Sequence, residues 1–138
     1  METLTVSGNI KSLGTISHYV KQAAETANLN SRAAYKLRLA VDEIATNIIL
    51  HGYKEAGRTG KIYLHADIDA SSLTLTIEDT GIPYNPNQKA TIQPEYFNQT
   101  LETREIGGLG VYLVQESVDN FYYQQIGDRN RNVLVVHR

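Results

Sequence analysis

Apolar residues recur along this chain with two different periods, and the changes between them divide it into helices and strands. Alternation predicts a short first strand within residues 4–10. Helical spacing then predicts a first helix over about residues 12–28 and a stronger second helix from near Ser31 to a stop at His51-Gly52. Because the second helix carries an apolar residue at every third or fourth position, one of its faces is expected to be buried.

From Lys61 the period drops to two, which predicts antiparallel strands joined by tight turns. One strand carries Ile62 to Ile68 and the next carries Leu73 to Ile77, with a hairpin turn at Asp69 to Ser72 between them. Further along, apolar residues predict a third helix and then two more strands: Val111, Leu113, Val114 and Val118 for the helix, and Phe121 to Ile126 and Val133 to Val136 for the strands.

The resulting order, β-α-α-β-β-loop-α-β-β, does not alternate strand and helix as a doubly wound parallel sheet would. It favours an α+β two-layer sandwich, in which a mostly antiparallel mixed sheet is covered on one face by about three helices. Residues 80–106 contain all three prolines and little periodicity. A loop of that length is unusual in so small a domain, so we expect it to be functional.

Composition narrows the classes of function that this chain can have. A length of 138 residues predicts one domain, spanning residues 1–138. The formal net charge of −2 and the lack of a basic cluster argue against direct binding of nucleic acid. The absence of cysteine excludes disulfides, thiolate zinc sites and cysteine nucleophiles. With no signal-like start and no long apolar run, the expectation is a soluble cytoplasmic protein with no membrane contact.

Three glycines in the stretch REIGGLGVYL, residues 104–113, stand at the start of the predicted third helix. Glycine inside a helix costs about 0.5–1 kcal/mol relative to alanine, so the cluster needs a reason. One explanation is a tight turn before the helix. The other is a loop whose backbone N–H groups approach a phosphate at a helix N-terminus. The stretch lacks the lysine of a P-loop and the full GxGxxG pattern, so the glycines alone leave both open.

Two other polar groups accompany the glycines. Glu43, Asn47 and His51 are spaced by four on the second helix and therefore share a face beside its apolar stripe. Such a face is usually just solvated, but Asn47 is a poor helix former amid aliphatic neighbours. At the end of the predicted strand SLTLTIED, Asp79 is followed by Thr80 and Gly81. This sequence is typical of a turn, yet it could also present a carboxylate to a flat ligand.

Taken in order and spacing, DEIATN, EDTGIPYNP and GGLGVYLV resemble the N box and the two glycine boxes of the histidine-kinase-like ATPase superfamily, also called the Bergerat or GHKL fold. The segments LRLAVDEIATNIILHGY and REIGGLGVYLVQESVDN bring the chain closer to the anti-sigma-factor serine/threonine kinases, bacterial switch proteins of sporulation and stress response. This resemblance runs from about Leu37 to the C-terminus. The order of the three boxes is specific, whereas each box alone is not.

The resemblance implies a role for each matching residue. Asp79 would accept a hydrogen bond from the adenine amino group, and this selects ATP over GTP because guanine has a carbonyl there. Asn47 would coordinate Mg²⁺ through its side-chain oxygen. Glu43 would take the proton from the attacking hydroxyl group. Gly81 belongs to the first glycine box. The phosphate loop would consist of Gly107, Gly108, Leu109 and Gly110, beneath a lid formed by Tyr84 to Ile106.

Two positions depart from the family pattern, and a third is given no role. Pro83 stands where the first box usually has its second glycine, so the backbone there is more constrained. Arg104 lies near the phosphate loop, but Ile106 separates it from the glycines, so its role stays open. His51 is interpreted as a capping or packing residue without chemistry.

The resemblance implies an ATP- and Mg²⁺-dependent serine kinase that phosphorylates a STAS-type anti-sigma-factor antagonist and sequesters a sigma factor or a similar regulator. The alternative is a non-catalytic switch in which ATP only selects a binding conformation; Glu43 argues against it, because a pure sensor needs no base. A third hypothesis, the catalytic part of a sensor histidine kinase, depends on His18 as phosphoacceptor and is disfavoured, since that residue has no hairpin partner helix. A homodimer through the strand at Met1 to Ser7 is also expected.

Overall fold

A computed structural model describes residues 1–83 and 114–138 of the chain. Within these residues, no helix is long and apolar enough to cross a membrane. The strands are β1 (Leu4–Ser7), β2 (Lys61–Ile68), β3 (Ser72–Asp79), β4 (Asn120–Ile126) and β5 (Arg129–His137). The helices are α1 (Leu13–Thr26) and α2 (Ser31–Asn47), with a short 3₁₀ helix at Ile10–Ser12 and a π-helix at Ile48–Lys54. Residues 114–117 are also helical.

The strands form one sheet in the order β1-β2-β3-β5-β4. Each neighbouring pair is antiparallel, so the described part of the sheet has no parallel pair and is not mixed. The helices cover one face of the sheet, and the predicted two-layer sandwich is confirmed. The strand order also places β1 and β4 at the two edges, with β3 in the centre.

The core lies between the sheet and the helices. Buried residues alternate with more exposed ones along β2, β3 and β5, which is the period-two pattern expected for a sheet with one covered face. The aliphatic members of this inner face are fully buried or nearly so: Ile62, Leu64, Ala66, Leu73, Leu75, Ile77, Leu134 and Val136. From the helices, Ile16, Val20, Leu37, Val41 and Ile44 pack onto them.

Asparagine and aspartate residues stand at the end of α1, at the start of α2 and in the turn of the central hairpin. Asn28 adopts a left-handed conformation with φ of 57°, which ends α1. Asn30 caps α2, since its side-chain oxygen accepts a hydrogen bond from the backbone N–H of Ala33 at 2.8 Å. In the β2–β3 turn, the Asp69 carboxylate accepts from the backbone N–H groups of Ser71 and Ser72 at 2.8 and 2.9 Å. The predicted turn at Asp69 to Ser72 is therefore confirmed.

The predicted end of the second helix is wrong. The α-helix ends at Asn47, and the chain then continues as a π-helix to Lys54, past His51 and Gly52. Helices of this wider kind are rare, occur often at functional sites, and cannot be recognised from apolar spacing alone. Smaller differences lie at other ends: residue 10 begins a 3₁₀ helix instead of extending β1, β5 begins four residues before Val133, and Val118 lies beyond the helical residues 114–117.

Tyr53, in the π-helix, joins three parts of the fold. Its hydroxyl group donates to the carbonyl of Lys61 at 2.6 Å and accepts from the backbone N–H of Thr80 at 2.9 Å. Its ring is fully buried between Gly8 and Gly60, where an added Cβ would come within 2.5 and 2.6 Å of ring carbons. Both positions must be glycine for the ring to fit, because real Cβ atoms do not approach that closely.

Candidate functional site

Asp79 ends the central strand β3 with its side chain on the buried face of the sheet. It is 2% exposed. One carboxylate oxygen, Oδ1, accepts hydrogen bonds from the backbone N–H of Gly81 at 2.9 Å and from Nδ2 of Asn130 at 3.0 Å. No described residue donates to the other oxygen, Oδ2. Burial raises the pKa of Asp79 above its ordinary value, and the two N–H donors only partly oppose that effect.

Asn130 and Tyr123 belong to this site, and sequence reasoning missed both. Asn130 lies opposite Asp79 in the β3–β5 register, and its Nδ2 also donates to the Gly81 carbonyl at 3.0 Å. Tyr123, on β4, donates from its hydroxyl group to Oδ1 of Asn130 at 3.0 Å. Asn132, the next inward residue of β5, is also buried, and its Oδ1 has no partner among the residues that the structure describes.

A signal for these residues was present in the sequence. Asn130 and Asn132 continue the inward alternation of Leu134 and Val136 along β5, so asparagine occupies two consecutive core positions. Asparagine is depleted in strands, and a buried amide must find hydrogen-bond partners. Extending the alternation of β5 toward its N-terminus would have identified both residues as candidates for a polar site.

Gly81 packs directly against the π-helix. A Cβ at this position would lie 2.6 Å from the carbonyl oxygen of Gly52, and the neighbouring Ile82 N–H donates to that same oxygen at 2.9 Å. The two segments therefore meet backbone to backbone, and glycine is needed at position 81 for this contact before any ligand is considered. The contact also joins the π-helix, which continues α2 after Asn47, to the turn that follows Asp79.

We expect Gly81→Ala to destabilise the fold by about 1–3 kcal/mol, because its methyl group would overlap a backbone carbonyl that cannot rotate away. Chemical denaturation measures the free energy of unfolding. The matched control is Gly14→Ala in α1, where an added Cβ meets no atom within 4 Å and alanine is the better helix former. If Gly81→Ala unfolds at the same denaturant concentration as the wild type, glycine is not required at position 81 for the contact with Gly52.

Glu43 and Asn47 contact each other on α2. The Asn47 side chain is 3% exposed, and its Nδ2 donates to Oε1 of Glu43 at 3.3 Å. Since the amide nitrogen is used in this way, the amide oxygen is left as the group that can accept from, or coordinate, a ligand. Within residues 1–83 and 114–138, no three His, Asp or Glu side chains cluster as a metal site.

That arrangement fits Mg²⁺ bound together with a nucleotide. Mg²⁺ prefers oxygen ligands, and it commonly takes only one or two from the protein and the rest from phosphates and water. The side chain of Asn47 offers one such oxygen. Asn47 is therefore the residue that would hold the metal ion.

His51 contacts Glu55, which follows it by four residues. It is part of the π-helix, where its Nδ1 is 2.9 Å from the Glu55 carboxylate, one turn further on. Glu43 and Asn47 lie on α2, and His51 lies on the π-helix that continues it. The interpretation of His51 as a capping or packing residue stays a prediction.

The remaining predicted site residues lie outside the described residues. They are the phosphate-loop residues Gly107, Gly108, Leu109 and Gly110, the neighbouring Arg104, and the lid at Tyr84 to Ile106. The site that the structure describes consequently consists of two parts. One is the hydrogen-bonded group of Asp79, Gly81 and Asn130 at the end of β3, and the other is the Glu43–Asn47 pair on α2.

Residues 6–137 match the family model of the histidine kinase-like ATPase domain. The chain belongs to this family. Two solved histidine kinases share the fold: the histidine kinase domain of a blue-light-activated kinase from Erythrobacter litoralis EL346 and the histidine kinase AdeS of Acinetobacter baumannii. The first is 16% identical with a TM-score of 0.52, covering 90% of this chain and 58% of that one. The second is 12% identical with a TM-score of 0.51, covering 99% of this chain and 68% of that one.

Among curated relatives, this histidine kinase-like ATPase is similar to proteins named serine-protein kinase RsbW. The Staphylococcus aureus (strain MSSA476) protein is 30% identical over 83 residues, which are 59% of this chain and 52% of that protein. The Listeria innocua protein is 29% identical over 117 residues, which are 83% of this chain and 73% of that protein. The chain thus matches about half the length of the Staphylococcus relative. Membership of the family implies use of ATP.

Proposed function

We propose that this protein is an ATP-dependent protein serine kinase of the anti-sigma-factor type, formed by a single ATPase domain over residues 1–138. In this proposal it phosphorylates a serine of a STAS-type anti-sigma-factor antagonist and sequesters a sigma factor or a similar regulator. The similarity to proteins named serine-protein kinase RsbW supports the class of the partners. The contacts of Asp79, Asn47 and Glu43 support the chemistry.

The adenine part of ATP would bind at Asp79. Gly81 and Asn130 both donate to Oδ1, so both lone pairs of that oxygen already accept hydrogen bonds. Oδ2 is the acceptor left for the 6-amino group of adenine. A guanine base has a carbonyl oxygen at this position, so two acceptors would face each other and GTP would bind poorly. Desolvation of the carboxylate makes each remaining hydrogen bond stronger than it would be in water.

The phosphate part would lie near α2, where Asn47 provides an oxygen for Mg²⁺. Bound Mg²⁺ supplies positive charge that neutralises the phosphate oxygens. Gly107, Gly108, Leu109 and Gly110 would surround the phosphates through their backbone N–H groups at the start of the third helix.

The observation that carries the assignment as an enzyme is the contact between Glu43 and Asn47. It holds the Glu43 carboxylate beside the residue that would coordinate the metal, and only one of its oxygens is used by Asn47. In the proposed reaction the serine oxygen attacks the γ-phosphorus, the bond to the β–γ bridging oxygen breaks, and ADP leaves. Glu43 accepts the hydroxyl proton as the new bond forms.

The test is to incubate the purified protein with Mg-ATP and antagonist-like proteins encoded near its gene, and to measure their intact masses. A gain of one phosphoryl group, absent when the protein or ATP is omitted, is the expected result. If ATP binds but no candidate gains mass, the protein acts as the non-catalytic ATP-dependent switch. If ATP does not bind, both assignments are wrong.

A homodimer through β1 is part of the proposal. The strand lies at the edge of the sheet and pairs on one side with β2, so its other side can pair with a second copy. We expect light scattering to give a dimer mass at tens of micromolar. Thr5→Pro in β1 is expected to shift that mass toward the monomer, because proline removes a donor from the strand. A monomer mass for the wild-type protein would contradict dimerisation.

A further inference from the structure

A chain of hydrogen bonds connects the edge strand β4 to the buried carboxylate of Asp79. The Tyr123 hydroxyl donates to Oδ1 of Asn130, and Nδ2 of Asn130 donates both to Oδ1 of Asp79 and to the carbonyl of Gly81, each at 3.0 Å. Every polar atom of the Asn130 side chain therefore has a partner. All of these groups lie on the inner face of the sheet. Asp79 and Asn130 are buried there, so water competes little for their contact, and Tyr123 is half-buried.

The orientation of the Asn130 amide decides what Asp79 presents to a ligand. In the observed orientation, an N–H group faces the carboxylate and occupies Oδ1. In the flipped orientation, the amide oxygen would face both Oδ1 of Asp79 and the Gly81 carbonyl, so that acceptors would meet without a proton between them. The amide nitrogen would then face the Tyr123 hydroxyl.

Tyr123 supplies the one hydrogen bond that Oδ1 of Asn130 receives from the described residues. Its hydroxyl group must be protonated to donate. Burial and the negative charge of Asp79 both raise the pKa of Tyr123, so it remains a neutral donor at physiological pH. Without this donor, the amide oxygen would be buried and unpaired, and the Asn130 side chain would lose the contact that fixes it from the β4 side.

We propose that Tyr123 is a positioning residue for adenine recognition, because its hydroxyl group holds Asn130 and thereby keeps Oδ2 of Asp79 as the acceptor offered to the base. The inference rests on the proposed binding of adenine at Asp79. Tyr123 itself is not placed in contact with the nucleotide. Its effect is on selectivity: a carboxylate held in one orientation discriminates between an amino group and a carbonyl, whereas a carboxylate free to rotate or to bind water discriminates less.

Tyr123→Phe tests this role with minimal change in shape. Isothermal titration calorimetry compares ATP with ITP, which carries a carbonyl in place of the 6-amino group. We expect ATP affinity to fall about 5- to 50-fold, as for a buried hydrogen-bonding group left unpaired, and the preference for ATP over ITP to fall about 3-fold or more. The matched control is Tyr122→Phe, whose ring is half exposed on the opposite face of β4, and which should keep both values.

A double-mutant cycle distinguishes positioning from a general loss of stability. If Tyr123 acts through Asn130, Tyr123→Phe has little further effect on ATP affinity in an Asn130→Ala background. All binding is measured well below the melting temperature of each variant. Equal ATP affinity and ATP/ITP preference in Tyr123→Phe and wild type overturn the inference and leave the proposed function intact. Failure of the wild-type protein to bind ATP overturns both.

Discussion

Glu43→Gln is expected to lower the rate of phosphoryl transfer by about 10²–10⁴-fold and to leave ATP affinity unchanged. Glutamine keeps the size of the side chain, and its amide oxygen can still accept the hydrogen bond from Asn47. It cannot accept a proton from the serine hydroxyl. Transfer is measured as the rate of phosphorylation of the antagonist, and affinity is measured by calorimetry.

Two further variants test whether the loss of transfer is specific to the Glu43 carboxylate. Asp42→Asn removes the neighbouring carboxylate of α2, which is exposed, and should transfer phosphate at the wild-type rate. Asn47→Ala should weaken Mg-ATP binding and transfer together, since it removes the proposed metal ligand and the partner of Glu43. Wild-type transfer by Glu43→Gln would show that the glutamate is an ordinary surface residue and would leave the enzyme assignment without its base.

Asp79→Asn is expected to reduce ATP affinity about 5- to 150-fold, which corresponds to about 1–3 kcal/mol. The hydrogen-bond donors around position 79 fix the orientation of the introduced amide. Gly81 and Asn130 both donate to the Oδ1 position, so the oxygen of that amide must take this place and its NH₂ group must take the place of Oδ2. The site then offers a donor where adenine also has a donor.

The same substitution should favour ITP, whose 6-carbonyl can accept from the new NH₂ group. The preference for ATP over ITP is therefore expected to fall at least 10-fold, by competition calorimetry. Asp67→Asn, at an exposed position of β2, is the control and should change neither affinity. An unchanged ATP affinity in Asp79→Asn would show that adenine does not bind at this carboxylate.

Asp79→Asn should also keep or increase stability at neutral pH. Because the folded-state pKa of Asp79 is raised, the folded protein holds its proton more tightly than the unfolded chain does, and stability falls as pH rises through the interval between the two pKa values. Above that interval the buried charge is a net cost. Unfolding measured against pH should show this fall in the wild type and a smaller one in the variant. A carboxylate kept in the core at such a cost is typical of a functional site.

The repeating parts of the fold could be predicted from the sequence. In β2 and β3 the alternation of apolar residues gave the strands and their inward faces, because a sheet with one covered face enforces period two. The turn at Asp69 could be predicted for a local reason too, since the Asp69 side chain accepts hydrogen bonds from the backbone of the residues that follow it. The family resemblance likewise followed from motifs whose order is specific.

What the sequence did not reveal depends on contacts between distant residues. The change from α- to π-helix after Asn47 is accompanied by the packing of Gly52 on Gly81 and by the burial of Tyr53, neither of which has a local signal. The link from Tyr123 through Asn130 to Asp79 crosses three strands and requires the exact register. Periodicity reports which face a residue occupies, but it does not report which side chain of another strand it meets.

The position of Tyr53 has a consequence for how the protein opens locally. Its ring fills the gap between Gly8 and Gly60, and its hydroxyl group bonds both Lys61 and Thr80. The end of the edge strand β1 and the turn after Asp79 are therefore parts of one cooperative unit, and neither can fray without exposing a buried aromatic ring. A partner that pairs with β1 and a nucleotide that binds at Asp79 would thus oppose the same local unfolding event. Whichever binds first would order this unit, so the second would lose less conformational entropy of the chain when it binds.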